Sequence, residues 1–566
     1  MFDPNKPQTD PPKEESTSPE LVERFSNKLK KEKSLDFMGE LFKELPDLEF
    51  YLVGGMVRDT IIKHPTSKDY DFIARGVPIK KLVSALKKMG QVDFVGRNFG
   101  VLKFTPKDST LKEAIDIALP RTELAEGTGG YRDVETKSDH KLPVEEDLAR
   151  RDLTINAIAW NVAKQELVDP YNGQQDLENK TIRAVGKPED RFQEDYSRML
   201  RAVRFSCRFG FEIEPETWKA IQDLMSHIND QHEITIVESL ERQLSLATEE
   251  QSIKKLGEKT EQQKKKDPDA TKLEFVVPRE TISTEILKSL KENPARALEL
   301  LDESGALEKL LPETLEMKES DVWEHTKMML KKINSPEFKK LFKGIEITGE
   351  FALGVLLHDI STPQVLQTPK KDGSDRVKSN GHESTGTETA VKIANRLRLS
   401  DFQTEKLKFM TKNHMFAMTM SDVFTVGANK FAKRFIDSPH SQDLLMLFYL
   451  DLACSVQPDE TSPMKKFEDT QKRIEEIKAI REKQPEQIVD GNHVMQTLEI
   501  KGGSLLGVIL LVLNEFADLG KINHLEDAIK FLEKNKSLLL KYQNTVTGQN
   551  REEVADKILG KLKGKR

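Results

Sequence analysis

The residues with the most chemistry to offer are two aspartates one residue apart, Asp69 and Asp71. On a strand, positions i and i+2 point to the same face. Two carboxylates held side by side repel unless cations lie between them. Magnesium suits such a pair, being a hard ion that takes oxygen ligands and bridges carboxylates to substrate phosphates. Two such ions, ~3.5–4 Å apart, can activate an attacking hydroxyl and stabilise a leaving pyrophosphate. A third carboxylate should approach from a neighbouring strand, and Asp116 in Ala-Ile-Asp-Ile-Ala is the best placed. Upstream, Gly54-Gly55 closes an apolar run and would let backbone approach a ligand closely. The residues after it are expected to open a helix whose N-terminus favours phosphate. Taken singly, a Gly-Gly pair is usually a turn and a DxD usually an exposed strand edge.

Two further sets share their chemistry with this one. Arg151-Asp152 and Asn156 fall where a helix is expected, which would put Asp152 and Asn156 on one face. A planar Arg fork suits phosphate, and Asp or Asn suits sugar hydroxyls. Asp195 and Arg198 are three apart on a second expected helix, and Arg201 and Arg204 continue its stripe. A carboxylate only accepts hydrogen bonds and a guanidinium only donates them. Cytosine and adenine each show an amino donor beside a ring-nitrogen acceptor, while uracil and guanine show the reverse order. One Asp–Arg pair can therefore take C and A and reject U and G. A wrong base would leave buried polar groups unpaired, at roughly 1–3 kcal/mol per group.

The company these residues keep is specific. Gly54-Gly55-Met56-Val57-Arg58-Asp59 with Asp69-Tyr70-Asp71 resembles the head of polymerase-β-like nucleotidyltransferases. More narrowly, it is similar to class II CCA-adding enzymes and bacterial poly(A) polymerases. The resemblance continues, in order, through Arg121-Thr122-Glu123, Arg150 to Ala157, Asp169-Pro170-Tyr171-Asn172-Gly173 with Asp176-Leu177, and Glu194 to Arg198. It implies catalysis by Asp69, Asp71 and Asp116 with Mg2+ on Asp69 and Asp71. It implies nucleotide contacts from Gly54, Gly55, Arg58, Asp59, Arg151, Asp152 and Asn156, with Arg201 and Arg204 clamping phosphates. It also implies that Glu194 to Arg198 reads the base in place of a nucleic-acid template. The expected activity is addition of C, C and then A to the 3′ end of tRNA from CTP and ATP.

A poly(A) polymerase shares these motifs. Phe94 to Val101 and the loop Thr122 to Pro143, with Gly127, Gly129 and Gly130, resemble the CCA-type versions. Enzymes that add only CC or only A remain alternatives. A third reading, from another class, is a metal phosphohydrolase whose N-terminal half only binds RNA.

That third reading comes from His325, His358-Asp359, His382, His414 and Asp451, which resemble the ligand pattern of HD phosphohydrolase domains. His nitrogens and carboxylates suit Mn, Fe or Ni, or else Mg. The pattern expected next is Gly-Lys-Pro, but Ile360-Ser361-Thr362-Pro363 stands there, so the lysine that would help neutralise a phosphate is missing. If the site is active, the resemblance implies hydrolysis of a phosphomonoester or cyclic phosphate at an RNA 3′ end.

The elements that must position these groups follow from pattern. A helix is expected from about residue 20 to 45, strands at 48–53, from Tyr70, at 101–104 and at 114–118, and a helix over 79–88; from Glu145 onward the signal is almost all helical. The fold class expected is α+β, a small mixed-sheet nucleotidyltransferase head followed by all-α neck, body, HD and tail domains. The boundaries are a disordered tail 1–18, head 19–144, neck 145–225 for base recognition, body 226–320, HD domain 321–458 and a helical tail 459–566 that touches tRNA backbone. Residues 249–272, dense in Lys, Glu and Gln, read as a mobile insertion or a long solvated helix.

The bulk numbers set outer limits. A chain of 566 residues with 32% charged and 37% hydrophobic side chains has room for three or four domains. A net charge of −7 argues against coating nucleic acid by bulk charge, while a local basic channel remains compatible with it. Two cysteines without a CxxC partner support neither zinc nor disulfides, so a reducing cytoplasm is expected. The polar N-terminus lacks a signal-peptide core, and the apolar run Leu505 to Leu513 is too short to cross a bilayer.

Overall fold

In a computed structural model, residues 17–563 are described except 66–68, 96–100, 126–128, 131–133, 247–249, 366–380, 420–437, 456–462, 483–488, 519–520, 544 and 547–550. The expected disordered tail therefore lies, but for Thr17 and Ser18, outside the described residues. So does most of the segment from Phe94 to Val101. The chain divides into two compact units, one of residues 1–315 with 396–399, the other of residues 316–395 with 400–566.

The first unit is organised by a seven-stranded mixed sheet. Its strands are β1 (Glu49–Val53), β2 (Asp71–Arg75), β3 (Gly90–Val95), β4 (Val101–Pro106), β5 (Ile115–Ala118), β8 (Ala159–Asn161) and β9 (Glu166–Val168), in the order β3-β4-β5-β2-β1-β8-β9. Only β2 and β5 run parallel; the other neighbours are antiparallel. β1 is buried at four of its five positions, as its near-continuous apolar sequence requires. Phe50 of β1 stacks on Phe72 of β2 at 4.4 Å, and Trp160 of β8 stacks on Phe25 at 4.5 Å. Phe25 lies in helix Pro19–Lys31, so the expected long N-terminal helix exists but is broken. A single turn, Lys33–Leu35, separates it from helix Phe37–Glu44.

Several expectations are corrected. The sheet runs past residue 144 into β8 and β9, so Glu145 does not begin an all-helical region. The segment 123–143, read as a loop, contains a hairpin of β6 (Arg121–Ala125) and β7 (Val134–Ser138), with Arg121 opposite Ser138. The charged stretch follows the second of its two readings, being largely a helix, Glu250–Lys266, but one packed along helix Ile236–Leu246. That helical pair stands on an antiparallel ribbon of β12 (Gln231–Thr235) and β13 (Thr271–Phe275). A two-stranded parallel pair, β10 (Thr181–Ile182) and β11 (Glu212–Ile213), also interrupts the region expected to be all-α.

The second unit is helical. Helices Asp321–Ile333, Gly349–Leu357, His382–Arg396, Asp401–Thr419 and Ser441–Cys454 carry its histidines and aspartates or lead directly to them. Helices Gly491–Leu498, Ser504–Asp518, Leu525–Leu540 and Arg551–Lys563 share a separate core around Val494, Ile509, Leu532 and Ile558. Among the described residues, no helix is long and apolar enough to cross a membrane.

Candidate active site

Strand register brings the carboxylates together. Asp71 opens β2, with Val53 opposite it on one side and Asp116 directly opposite on the other. Asp69 lies before the strand, so its proximity to Asp71 comes from the approach to β2 and not from the strand-face spacing that the sequence suggested. Partial withdrawal from water raises the Asp71 pKa, and the charges of Asp116 and Asp69 raise it further. Arg151 and Lys103 pull the other way. Lys103 faces Asp116 across β4 and β5 and donates to its carboxylate at 2.7 Å. It is a cation at this cluster that the sequence reading missed; cross-strand pairing of Lys with Asp is its signal.

Gly54 links β1 to the short helix Gly55–Ile61. Its φ of 75° favours glycine, and a Cβ there would sit 3.4 Å from Asp71 Oδ2 and 3.6 Å from Arg151 Nη1. The turn thus holds backbone against the carboxylates. Arg58 and Asp59 on that helix are buried and paired with each other at 2.6 Å. Arg58 also donates to Asn156 Oδ1 at 2.6 Å, and Arg208 reaches Asp59 at 3.3 Å. Their charges are engaged with protein partners, which aligns Asn156.

Residues 151–156 do not form the expected helix. Arg151 and Asp152 lie in a bend, Leu153 bridges to Ala184, and only Thr154–Asn156 makes a single 3-10 turn before β8. Asp152 and Asn156 still meet, with the Asn156 amide donating to Asp152 Oδ1 at 3.0 Å. Burial opposes ionisation of Asp152, but the Arg201 guanidinium at 2.8 Å and the Asn156 donor outweigh it and hold its pKa well below the usual carboxylate range. Buried Asp147 accepts from Arg150 at 2.7 Å and lies 3.4 Å from Arg151, fixing the bend.

The second expected helix is also displaced. Asp195 has extended backbone between helices Pro188–Glu194 and Ser197–Phe209, so it does not share a helix with Arg198. Its Oδ1 accepts from the Ser197 N–H at 2.9 Å, at the first residue of the second helix. Its Oδ2 is 4.0 Å from Arg198 Nε, beside the guanidinium but beyond hydrogen-bond reach. Arg198 is held from behind by Glu194 at 2.6 Å and the Arg191 carbonyl at 3.2 Å. Burial raises the Asp195 pKa, with Ser197 and Arg198 partly offsetting it. The result is an acceptor and a donor side by side, each anchored elsewhere.

Of the Arg stripe, Arg201 reaches Asp152 and Arg204 does not face the cleft. Arg204 Nε donates at 2.5 Å to buried Glu285, which also lies 3.8 Å from Arg201. Glu285 sits in helix Arg279–Glu292. Sequence reasoning missed it because no local spacing connects it to Arg204, 81 residues away. Phe205, also missed, is capped by the Arg204 guanidinium at 4.2 Å.

These groups surround one cleft of about 650 Å³. Its walls include Gly54, Gly55, Arg58, Asp59, Asp69, Asp71, Arg151, Asp152, Asn156, Asp195, Arg198, Arg201 and Phe205, together with Arg208, which the sequence reading left unassigned. Asp116 and Arg204 stand behind the lining. Beside Asp195 and Arg198, the Gly129 carbonyl accepts the Tyr196 N–H at 3.0 Å. Gly129 has φ 79°, and a Cβ on it would fall 2.0 Å from the Tyr196 ring. That ring stacks on His227 at 5.2 Å.

The head and the overall fold have counterparts among known proteins. Residues 50–183 match the poly(A) polymerase head domain. The CCA-adding enzyme of Bacillus subtilis is 40% identical over 186 residues, 32% of this chain and 43% of that protein. The match therefore spans well under two thirds of that relative's length. The multifunctional CCA protein of Neisseria gonorrhoeae is 29% identical over 366 residues, 62% of this chain and 70% of that one. In overall fold the chain resembles the Bacillus stearothermophilus CCA-adding enzyme in complex with CTP, with a TM-score of 0.56 at 18% identity over 93% of this chain and 100% of that one.

Proposed function

We propose that the chain, whose residues 50–183 match the poly(A) polymerase head domain, is a member of the CCA-adding enzyme and bacterial poly(A) polymerase family and adds C, C and A to the 3′ end of tRNA from CTP and ATP. The observation that carries this reading is the division of one cleft into two halves. One half gathers carboxylates; the other sets a buried acceptor, Asp195, beside an anchored donor, Arg198.

The carboxylate half suits divalent magnesium, because its oxygens are hard donors, and withdrawal from water together with the charges of Asp116 and Asp69 raises the Asp71 pKa. Asp69 and Asp71 would hold the ion, with Asp116 completing the set. When bound, magnesium supplies charge neutralisation for the triphosphate and acidity for the attacking 3′-hydroxyl. The Lys103 ammonium holds Asp116 in place on β5. Arg151 faces the phosphates, while Asp152 and Asn156 take sugar hydroxyls, as acceptor and donor respectively. Arg201 orients Asp152 and is itself held by Glu285. Arg204, turned onto Glu285, acts as a support for Arg201 in place of the phosphate clamp expected from sequence.

Asp195 Oδ2 would accept from the exocyclic amine of C or A, and the Arg198 guanidinium would donate to the adjoining ring nitrogen. Uracil and guanine meet acceptor with acceptor and donor with donor. Both residues are part of the protein, so no template strand is needed. The C-terminal helices, ending in a Lys-rich segment, are proposed to touch tRNA backbone by shape. The test is incubation with Mg2+, labelled CTP and ATP, and tRNA ending before CCA. Two C and one A, then a stop, is expected. Long A tails would replace the reading with poly(A) synthesis.

A second reading concerns the other unit. His325, His358, Asp359, His382, His414 and Asp451 converge from five helical segments, which favours a metal-binding site there. The reaction suited to it is hydrolysis of a phosphomonoester or cyclic phosphate at an RNA 3′ end. Release of inorganic phosphate from a 3′-phosphorylated RNA tests it; no release with Mn, Ni or Mg present excludes it.

A further inference from the structure

Strand register sets four side chains in one row across the head sheet. Val53 of β1 stands opposite Asp71 of β2, Asp71 opposite Asp116 of β5, and Asp116 opposite Lys103 of β4. Directly opposed residues of paired strands share a face. The row therefore reads apolar, acid, acid, base. Its basic end is closed by the Lys103 ammonium, 2.7 Å from Asp116 Oδ1. With 44% and 37% of these two side chains exposed, the pair by itself adds little to folding.

What sets this pair apart from an ordinary cross-strand ion pair is the second acid beside it. Withdrawal from water raises the Asp71 pKa, Asp116 and Asp69 raise it further, and Arg151 and Lys103 oppose them. The two cations are held differently. Arg151 is fixed at two points, donating to the Asn156 carbonyl at 3.2 Å and lying 3.4 Å from Asp147. Lys103 has Asp116 as its hydrogen-bond partner among the described residues. A guanidinium fork bound at two points stays in place, whereas an ammonium on a flexible four-carbon stem can leave a single acceptor. Its bond to Asp116, ahead of the charges of Asp116, Glu113 and Asp71, raises the Lys103 pKa, so the side chain stays cationic wherever the acids are ionised.

We propose that Lys103 is a displaceable counter-ion of the carboxylate row: its ammonium occupies Asp116 while no divalent ion is held and competes with the ion for that carboxylate when one arrives. Without metal, Lys103 offsets part of the repulsion between Asp116 and Asp71 and keeps β5 seated beside β2. With free metal it weakens binding, because the ion has to replace an ammonium already in place. A nucleoside triphosphate brings further negative charge to the cleft and tips the competition toward the ion. Metal loading is thereby tied to nucleotide arrival. Lys103 is a positioning residue that acts through Asp116, and the inference rests on the reading of the head as a magnesium site.

The experiment uses the full-length chain without nucleotide, with Mn2+ as a paramagnetic stand-in for Mg2+. Free Mn2+ is followed by electron paramagnetic resonance during titration of the wild type, Lys103→Met and Lys103→Arg. Each chain is paired with its Asp71→Ala counterpart, whose uptake is subtracted so that ions held outside the head do not count. Lys103→Met should bind the Asp71-dependent ion about 3–5-fold more tightly, the scale of one partly exposed ion pair, and Lys103→Arg should show no such gain. Unchanged or weaker binding by Lys103→Met, or no Asp71-dependent ion in either chain, overturns the proposal. Hydrogen exchange in EDTA supplies a metal-free readout. Amides of residues 115–118 should exchange several-fold faster in Lys103→Met than in the wild type, and adding Asp116→Asn should restore the wild-type rates. The amides of β1 should stay protected in all three chains, which reports an intact sheet. Equal rates in the wild type and Lys103→Met overturn the metal-free role. Neither measurement depends on nucleotide addition, so a chain that passes both yet fails to extend tRNA refutes the activity and leaves the counter-ion standing.

Discussion

The head cleft and the histidine cluster both gather acids in one place, yet they do so under opposite conditions. In the head, Asp69 and Asp71 keep solvent-exposed surface, and among the described residues the cations acting on Asp71 are Arg151 and Lys103. In the second unit, His358, His382, His414 and Asp451 are buried, and imidazoles outnumber carboxylates. An open set of hard oxygens suits an ion that arrives with the nucleotide and leaves with pyrophosphate. A buried nitrogen-rich set suits ions that stay. Exposure and donor type, more than the number of acids, separate a site that exchanges its metal from one that retains it.

The largest effect that could break this contrast is at Asp71. Asp71→Ala should lower nucleotide addition by roughly 10²–10³-fold or more, the scale seen when a preorganised charge partner is lost. The same variant should keep its tRNA affinity and its full transition-metal content. Loss of metal from both regions together would collapse the distinction. Dialysis against EDTA gives the reverse arm: added Mg2+ alone should restore addition immediately, whether or not the second unit has regained its ions.

Asp195→Asn comes next. It replaces one acceptor with a group that can also donate, so discrimination against UTP and GTP should fall by about 10–100-fold, matching roughly 1–3 kcal/mol for a buried mismatch. Competition assays with all four nucleotides measure it; unchanged selectivity contradicts the base-reading account. Folding should not suffer. Burial raises the folded-state pKa of Asp195, so the native chain binds more protons there than the unfolded chain does. That contribution favours folding at low pH and is lost as pH rises from the ordinary aspartate value through the raised one. The Asn variant should lack this pH-dependent component, which denaturant titrations across that range would detect. Asp152 has the opposite sign, its pKa being held low by Arg201, so its contribution is present at neutral pH and disappears on acidification through that low value.

The smallest effect is at Glu285. Glu285→Gln should loosen Arg201 and raise KM for CTP and ATP several-fold, with kcat little changed, since a side chain held less rigidly weakens binding before chemistry. A fall in kcat with KM constant would instead place Arg201 at the reacting phosphate.

Sequence made the carboxylate half legible because its logic is local. An apolar run, a Gly-Gly turn and a DxD place β1, its turn and β2 within a few residues, and Asp116 follows from strand alternation. The nucleotide half was legible only in part. The spacing of Asp152 and Asn156 led to the right contact through the wrong element, since a bend and one 3-10 turn bring them together instead of a helix. Asp195 and Arg198 likewise meet across a helix start. Glu285 and Lys103 act through tertiary or cross-strand contacts between residues distant in sequence, whereas Asp147 reaches Arg150 and Arg151 at local helical spacing that the sequence reading passed over. The segment around Gly129 was read from its glycines as a loop, although the flanking strands pair and the Tyr196 N–H donates to the Gly129 carbonyl. For the charged stretch 250–266 composition left a mobile insertion and a long helix open; the helix forms, and its packing along a neighbouring helix is what composition did not reveal.

The most direct test of the central claim is end-point sequencing of a tRNA lacking CCA after incubation with the chain, Mg2+, CTP and ATP. The account predicts a product extended by C, C and A and no further, and the same stop with excess ATP. Open-ended A tails, or no extension at all, would contradict it.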